Sequence, residues 1–480
     1  MIEAKKWSVL ETALPAAASF RNPFWEAEVT AVLRHPETGT EQRVEAFCDG
    51  LNEAGRPVWK LRWTPVLEGT WTCEIRSTPA IEWDGELPSA IHCRPADEEA
   101  HGFLRAVPGR AWEFCYDDGS PFFLFGDTMY NLFAGHYCGV DVERILRRRR
   151  EQGINYVRAR LQVSPFHPAV PNQWQNRHTW PWGGSAQMPD FTRFNLAYFR
   201  AVDEVIALGA KLGIGFEMIM EAWLNEFPFN DRGAFIPEFE DLWIRYIVAR
   251  YAAYPNVYLW CPANEYEYYP NGQPVHKREA DLWLRRIARR IRELDPYGRL
   301  IGAHQTVQQV PLWQRLDDCE EIDVYLVQTN WYAEYVIHKR DCSLCMWLER
   351  DLRKHGGPRK KAVVCSEFGY ERAEGITTAE LHYPMDAHHT RRGQWRAGFS
   401  GHTVVHGFDS TWGAYLDIDR DPPGTAYLPI YAKFMHEHVS YWRMRPNISV
   451  LERHSGSEED GTAPLCLADD DGSVIAVYFP

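Results

Sequence analysis

The chain has no apolar run long enough to span a bilayer, which takes about 20 residues, and Met1 to Leu10 carries charge where an export signal would carry an apolar core. An unexported, cytoplasmic protein is therefore the expectation. Basic charge is also in deficit. Lysine and arginine total 52 against 66 Asp and Glu, a formal net charge of −14. Such a surface is poorly suited to nucleic acid or to an anionic membrane, both of which need cations to replace released counterions. The short run Arg147 to Arg150 reads as the solvated side of an amphipathic helix. Cysteine supplies no framework: the eleven residues are odd in number and scattered without repeated spacing, as expected of free thiols in a reducing compartment. The one close pair, Cys342 and Cys345, has no second pair at zinc spacing. Long polar or repetitive tracts are missing too, which argues against extended disorder.

What is present is a long globular chain. At 480 residues, 45% of them hydrophobic, it exceeds one ordinary domain. Up to about Pro95, short alternating runs (Glu26 to Leu33, Val44 to Cys48, Val58 to Trp63, Thr70 to Ile75) are separated by turn residues, an all-β pattern of sandwich type. The acidic stretch Pro95 to Ala100 closes this unit. From Phe122 the pattern becomes buried strands alternating with amphipathic helices, the arrangement that builds a parallel sheet.

Eight such strands can be read: Phe122 to Thr128, Tyr156 to Leu161, Gly213 to Glu221, Val257 to Glu265, Leu300 to Thr306, Val324 to Trp331, Ala362 to Tyr370 and Gly398 to His406. Asp190 is placed as the cap of a helix ending at Gly213, Pro237 opens another, and Ala280 to Leu294 forms a third. Eight strand-helix units predict an α/β chain built on a (β/α)8 barrel. A doubly wound open sheet is the rival, but no Gly-rich phosphate loop follows the first strand. A helix near Tyr427 to Tyr441 is followed by a β run at Asn447 to Glu452 and a hairpin of Ala463 to Leu467 with Ser473 to Phe479. The predicted units are residues 1–100 (sandwich), 101–445 (barrel) and 446–480, a short β segment too small for its own core.

Active sites of such barrels form at the C-terminal ends of the strands. Two apolar runs end in glutamate: Val257 to Glu265 on the fourth strand and Ala362 to Glu367 on the seventh. These strands face each other across the barrel mouth, so the two carboxyls converge. A retaining glycosidase needs that pairing, one carboxyl protonating the leaving oxygen while the other attacks the anomeric carbon about 5 to 5.5 Å away. Asn264, beside the first acid, is placed to hold a sugar hydroxyl.

These segments carry a resemblance. Trp260 to Glu265 and Ser366-Glu367-Phe368-Gly369 look like the acid/base and nucleophile motifs of clan A glycoside hydrolases, and Phe114 to Thr128 (FCYDDGSPFFLFGDT) resembles the apiosidase-like barrel family in particular. Asn22-Pro23-Phe24, Pro65 to Trp71 and His101-Gly102-Phe103 look like the sandwich domain fused ahead of such barrels. The resemblance implies Glu265 as general acid/base, Glu367 as nucleophile, and a retaining mechanism on a β-type glycosidic bond, with side-chain sugars of plant glycans as the class of substrate.

Around the acids, Asp127 and Arg160 could bind sugar hydroxyls or form a buried ion pair. His304 and Gln305 end the fifth strand, and Trp331 and Tyr332 stand at the end of the sixth; a hydroxyl such as that of Tyr332 could hold the nucleophile's carboxylate. The long segment Ser164 to Met188, with Trp174, Trp180 and Trp182, reads as a subsite wall or as self-packed aromatics, and Trp412 is a further platform. The histidines His388, His389, His402 and His406 lack a metal-ligating spacing. The reading is thus a glycoside hydrolase with a carbohydrate as its partner and no cofactor, metal, nucleic acid or membrane. A carbohydrate-binding protein on an inactive barrel and a metal-dependent barrel hydrolase are the alternatives.

Overall fold

The computed structural model describes residues 2–110, 112–163, 179–223, 226–273, 276–306, 312–328, 361–368, 371, 386–412, 416–453, 455–456 and 463–480. Eight parallel strands close into a barrel: Phe125–Thr128, Tyr156–Arg160, Gly215–Ala222, Val257–Asn264, Leu300–His304, Val324–Gln328, Ala362–Phe368 and Thr403–His406, the last pairing back onto the first. Every residue of the second, third, fourth and seventh strands is buried, as expected of a parallel sheet covered on both faces. Alternation sorts them. On the second strand Val157 and Ala159 pack outward in the main hydrophobic core, whereas Tyr156 joins a second cluster inside the barrel with Ile219, Leu259, Leu326 and Val364. Arg158 shares the inward face with Tyr156.

The helices follow their sequence signals with one shift. Pro237–Tyr251 opens on its proline, and Arg278–Leu294 buries Trp283, Leu284, Ile287 and Ile291 along one side. Leu196–Leu212 stops at Gly213, which takes the left-handed conformation that a glycine adopts without a Cβ clash. Its cap is Asn195, whose side chain accepts from the Tyr198 N–H. Asp190 lies five positions earlier, inside a hairpin of Trp182–Ser185 with Met188–Phe194, and accepts from the Thr192 N–H. The expected eighth strand is likewise shortened, because Gly398 and Phe399 finish a helix, Ala387–Phe399. At the front of the barrel, Pro121–Phe122 pairs separately with Phe114–Tyr116, so the first strand begins at Phe125. The helix expected near Tyr427 to Tyr441 runs as Leu428–Lys433 continued by the π-helical turn Phe434–His438, with a separate 3-10 turn at Tyr441–Arg443.

The front of the chain forms a sandwich-like unit of seven strands in the order Ile2–Lys5, Ala90–Arg94, Gly69–Thr78, Glu28–His35, Thr40–Leu51, Pro57–Trp63, Leu10–Pro15. It is bound to the barrel through buried polar contacts. Arg62, on the strand Pro57–Trp63, pairs with Asp203 at 2.7 Å and donates to the Arg250 carbonyl at 2.9 Å. Thr64 donates to the Ala253 carbonyl at 2.5 Å, and its own N–H donates to the Tyr297 hydroxyl at 2.9 Å. Arg250 returns to the sandwich at Asp49, 3.0 Å away. The C-terminal strands Met444–Pro446, Leu465–Asp469 and Ile475–Tyr478 make a small sheet. Tyr478 stacks on Trp395 of the Ala387–Phe399 helix, so this sheet packs on the barrel. Asn447 to Glu452, expected as a β run, contains the 3-10 turn Ile448–Val450.

Candidate active site

The fourth strand hands its last inward position to Asn264, and Glu265 follows in the left-handed region at φ 52°. A residue with a Cβ adopts that conformation only where its surroundings hold it there. Two contacts do so: the Glu265 N–H donates to His304 Nδ1 at 2.9 Å, and the Glu265 carbonyl accepts from the Tyr268 N–H at 3.1 Å. The side chain meets the end of the sixth strand, where Gln328 Nε2 donates to Glu265 Oε1 at 2.6 Å.

Glu367 sits one residue before the end of the seventh strand and is met by donors. The Tyr130 hydroxyl donates to its Oε1 at 2.5 Å, and Arg158 Nη1 lies 3.4 Å from the same oxygen. His304 Nε2 lies 3.5 Å away. Because His304 Nδ1 accepts from a backbone N–H, its ring proton belongs on Nε2, facing Glu367. Burial, with the charges of Arg158 and Arg160, holds that ring well below the usual histidine range, so it stays neutral.

Below the carboxyls lies a buried polar layer. Arg158 Nε pairs with Glu217 at 3.0 Å, Nη2 donates to Asn264 Oδ1 at 2.9 Å, and Nη1 donates to the Ser366 carbonyl at 3.0 Å. One guanidinium therefore ties the second, third, fourth and seventh strands together immediately under both acids. The Tyr156 hydroxyl completes the layer by donating to Glu217 at 2.7 Å.

The two acids feel each other. The Glu265 carboxyl is pushed up to about 8, first by burial and then by the charge of Glu367; the Gln328 hydrogen bond and Arg160 act against the rise. A carboxyl with that affinity for its proton can serve as an acid at neutral pH.

The other predicted residues divide. Asn264 and His304 belong to the site by the contacts above. Trp412, in the turn Asp409–Trp412 after the eighth strand, brings its ring to 5.8 Å from that of Tyr130. Arg160 borders the site, its guanidinium 4.1 Å from the Tyr130 ring centre, but it is paired with Glu226 at 2.5 Å. Asp127 requires correction: it is fully buried, with Arg149 at 2.6 Å and the Thr411 hydroxyl at 2.8 Å, so it braces the barrel instead of reaching sugar. Trp331 and Tyr332 lie outside the described residues. Tyr130 supplies a holding hydroxyl of the kind sought at Tyr332. Neither Tyr130 nor Gln328 was anticipated, although Gln328 does close an apolar strand. Among the described residues no three His, Cys, Asp or Glu side chains gather as metal ligands.

Trp182 is the second correction. Its ring is 1% exposed and packs against Trp180, Phe191, Phe229, Phe235 and Trp243. The hairpin folds back on the Pro237–Tyr251 helix and joins the main hydrophobic core, so this residue is no sugar platform. Trp182→Ala should therefore destabilise the protein by about 3 to 5 kcal/mol, the cost of emptying a packed aromatic site, with KM unchanged under conditions where the variant is folded. Denaturant melts and steady-state kinetics check this; a raised KM with an unaltered melt would restore the subsite reading.

With the geometry in place, likeness to known proteins can be weighed. The family description "Apiosidase-like, catalytic domain" matches residues 110–443, and a domain of unknown function matches residues 3–78. No curated protein matches the chain. Among solved structures, a putative glycoside hydrolase from Bacteroides vulgatus ATCC 8482 superposes with a TM-score of 0.70 at 18% identity, covering 98% of this chain and 85% of that one. A glycoside hydrolase family 5 protein from the same organism gives 0.55 at 17% identity, covering 77% and 79%. A family 5 mannosidase from Rhizomucor miehei gives 0.50 at 14%, covering 70% and 98%. At these identities the structures speak to fold alone: the chain shares their eight-stranded parallel barrel.

Proposed function

The chain belongs to the apiosidase-like family, and from that premise we propose that it is a retaining glycosidase acting at Glu265 and Glu367. The observation that carries this reading is the pairing of unlike carboxyls: Glu265 holds its proton to about pH 8, while Glu367 accepts from Tyr130. In the first step Glu367 attacks the anomeric carbon as the glycosidic C–O bond breaks and the Glu265 proton passes to the leaving oxygen. In the second, the Glu265 carboxylate takes a proton from water, water oxygen bonds to the anomeric carbon, and Glu367 is released. Tyr130, His304 and Arg158 fix the nucleophile's carboxylate, and Asn264, itself held by Arg158, lies beside the reacting ring. The family relationship supports a β-type bond to a side-chain sugar of plant glycans.

A panel of aryl glycosides differing in sugar tests the proposal, with products followed by NMR. Hydrolysis of one member with first release of the same anomer as the substrate supports it. First release of the opposite anomer would exclude the retaining mechanism. Binding of glycans without hydrolysis of any of them would favour an inactive, carbohydrate-binding barrel.

Gln328 offers a finer check. Its hydrogen bond opposes the rise in the Glu265 pKa, so Gln328→Leu should move the alkaline limb of kcat/KM upward from about pH 8. The general acid is lost as Glu265 ionises, so activity falls on the high-pH side in both proteins, later in the variant. A limb that stays in place would show that Glu265 does not set it.

A further inference from the structure

A cavity of about 1080 Å³ lies at the opposite end of the barrel from Glu265 and Glu367. It is lined where strands begin, at Asn155, Ile214, Asn256 and Tyr258, and is walled on the other side by the sandwich residue Trp7. Tyr258 and Glu265 stand seven residues apart along the fourth strand, about 23 Å at about 3.3 Å per residue. This space therefore has no share in the site described above.

Its chemistry is uneven. The floor holds the hydroxyls of Tyr116 and Tyr258, 2.9 Å apart. Two phenols bonded to each other use one O–H, so one remains to donate to a ligand. Phe122 packs edge-on against both rings, fixing them. Arg150 and Lys211 line the rim, both exposed, and neither has an ion pair among the described residues. Burial raises both floor hydroxyls above the usual tyrosine range, with Arg150 acting against the rise, so both stay protonated. Of the other charged or titratable groups on the lining, Lys433 pairs with Glu437 at 3.7 Å, Glu151 with Arg148 at 3.7 Å and His101 with Asp118 at 2.7 Å, while Glu99 is an exposed carboxylate with no ion pair among the described residues. Two uncommitted cations over a floor of hydroxyl and aromatic groups stand out on a protein of net charge −14.

We propose that this cavity is a second, non-catalytic binding site for an anionic sugar. Arg150 and Lys211 take the carboxylate or phosphate, the Tyr116–Tyr258 pair donates to a ring hydroxyl, and the aromatic surfaces of Phe122 and Trp7 meet the C–H face. The volume is at the upper end of the range for small-ligand sites, which runs to about 1,000 Å³, leaving room for more than one sugar unit.

The test is calorimetric titration of the full chain, at low salt, with glucuronate, glucose 6-phosphate, glucose and inorganic phosphate. At least one charged sugar should bind tenfold or more tightly than glucose. That preference should fall at least tenfold in the Arg150→Ser, Lys211→Ser double variant and persist in Glu265→Gln. The two anionic sugars distinguish a carboxylate-bearing ligand from a phosphate-bearing one. Failure of both to outbind glucose overturns the proposal, as does a preference that survives the double variant or vanishes in Glu265→Gln. Inorganic phosphate binding as tightly as the better sugar would also overturn it, since the ring would then contribute nothing. Should the double variant melt lower than wild type, Lys211→Glu alone is read against the same criteria. Hydrolysis of aryl glycosides by the double variant at the wild-type rate keeps this outcome separate from the fate of the proposed reaction.

Discussion

Glu367→Gln should leave the barrel folded and lower kcat by on the order of 10⁴-fold or more, the scale expected when a covalent nucleophile is removed. The amide is isosteric and can still meet Tyr130 and Arg158, so the melt should change little while turnover is lost. Steady-state rates on a cleaved aryl glycoside, with circular dichroism for folding, check both halves. In Glu367→Ala, the vacated space admits azide, which takes the nucleophile's place in a single displacement and yields a glycosyl azide of inverted configuration. A variant that hydrolyses like wild type would remove Glu367 from the mechanism.

The second large effect falls on Glu265 and depends on the leaving group. Glu265→Ala should cost about 10² to 10⁴-fold where the departing oxygen needs a proton and much less for a nitrophenolate, which leaves unprotonated. With good leaving groups the glycosyl-enzyme then accumulates, because no base activates water, and azide attacks it to give a product of retained configuration. The alkaline limb near pH 8 should vanish with the side chain. Equal losses for all leaving groups would indicate that Glu265 only shapes the pocket. The contrast between azide products from the two variants distinguishes nucleophile from acid without reliance on rate alone.

Much of this site was legible in the sequence because barrel geometry turns strand order into position. An acid closing an apolar run on the fourth strand, and another on the seventh, had to converge once eight strands closed. Asn264 and His304 were legible for the same reason, as polar residues at strand ends. Tyr130 was not: it follows the first strand, its ring orientation is set by packing on Arg160 and Trp412, and its partner is 237 positions away. Gln328 was passed over because the sixth apolar run was read as reaching Trp331. Asp127 and Trp182 show the converse difficulty. A strand-end acid and a loop tryptophan have the same appearance in sequence whether they face sugar or a buried partner. Arg149 and the ring of Trp243, both brought in from neighbouring helices, decide the matter.

The contacts of Arg62, Thr64 and Arg250 bear on how such a protein is inherited. An appended module usually meets its neighbour through a modest polar surface and can be shuffled between proteins. Here a sandwich arginine 3% exposed fits between an aspartate and a helix-end carbonyl of the barrel. Separation would leave Arg62 with Glu11 alone and Asp203 with Arg250 alone, each having lost a partner made for it. The two units are thus committed to one another, and sequence drift in either is constrained by the other. The front unit can be shed only by rebuilding the wall of the barrel against which it rests.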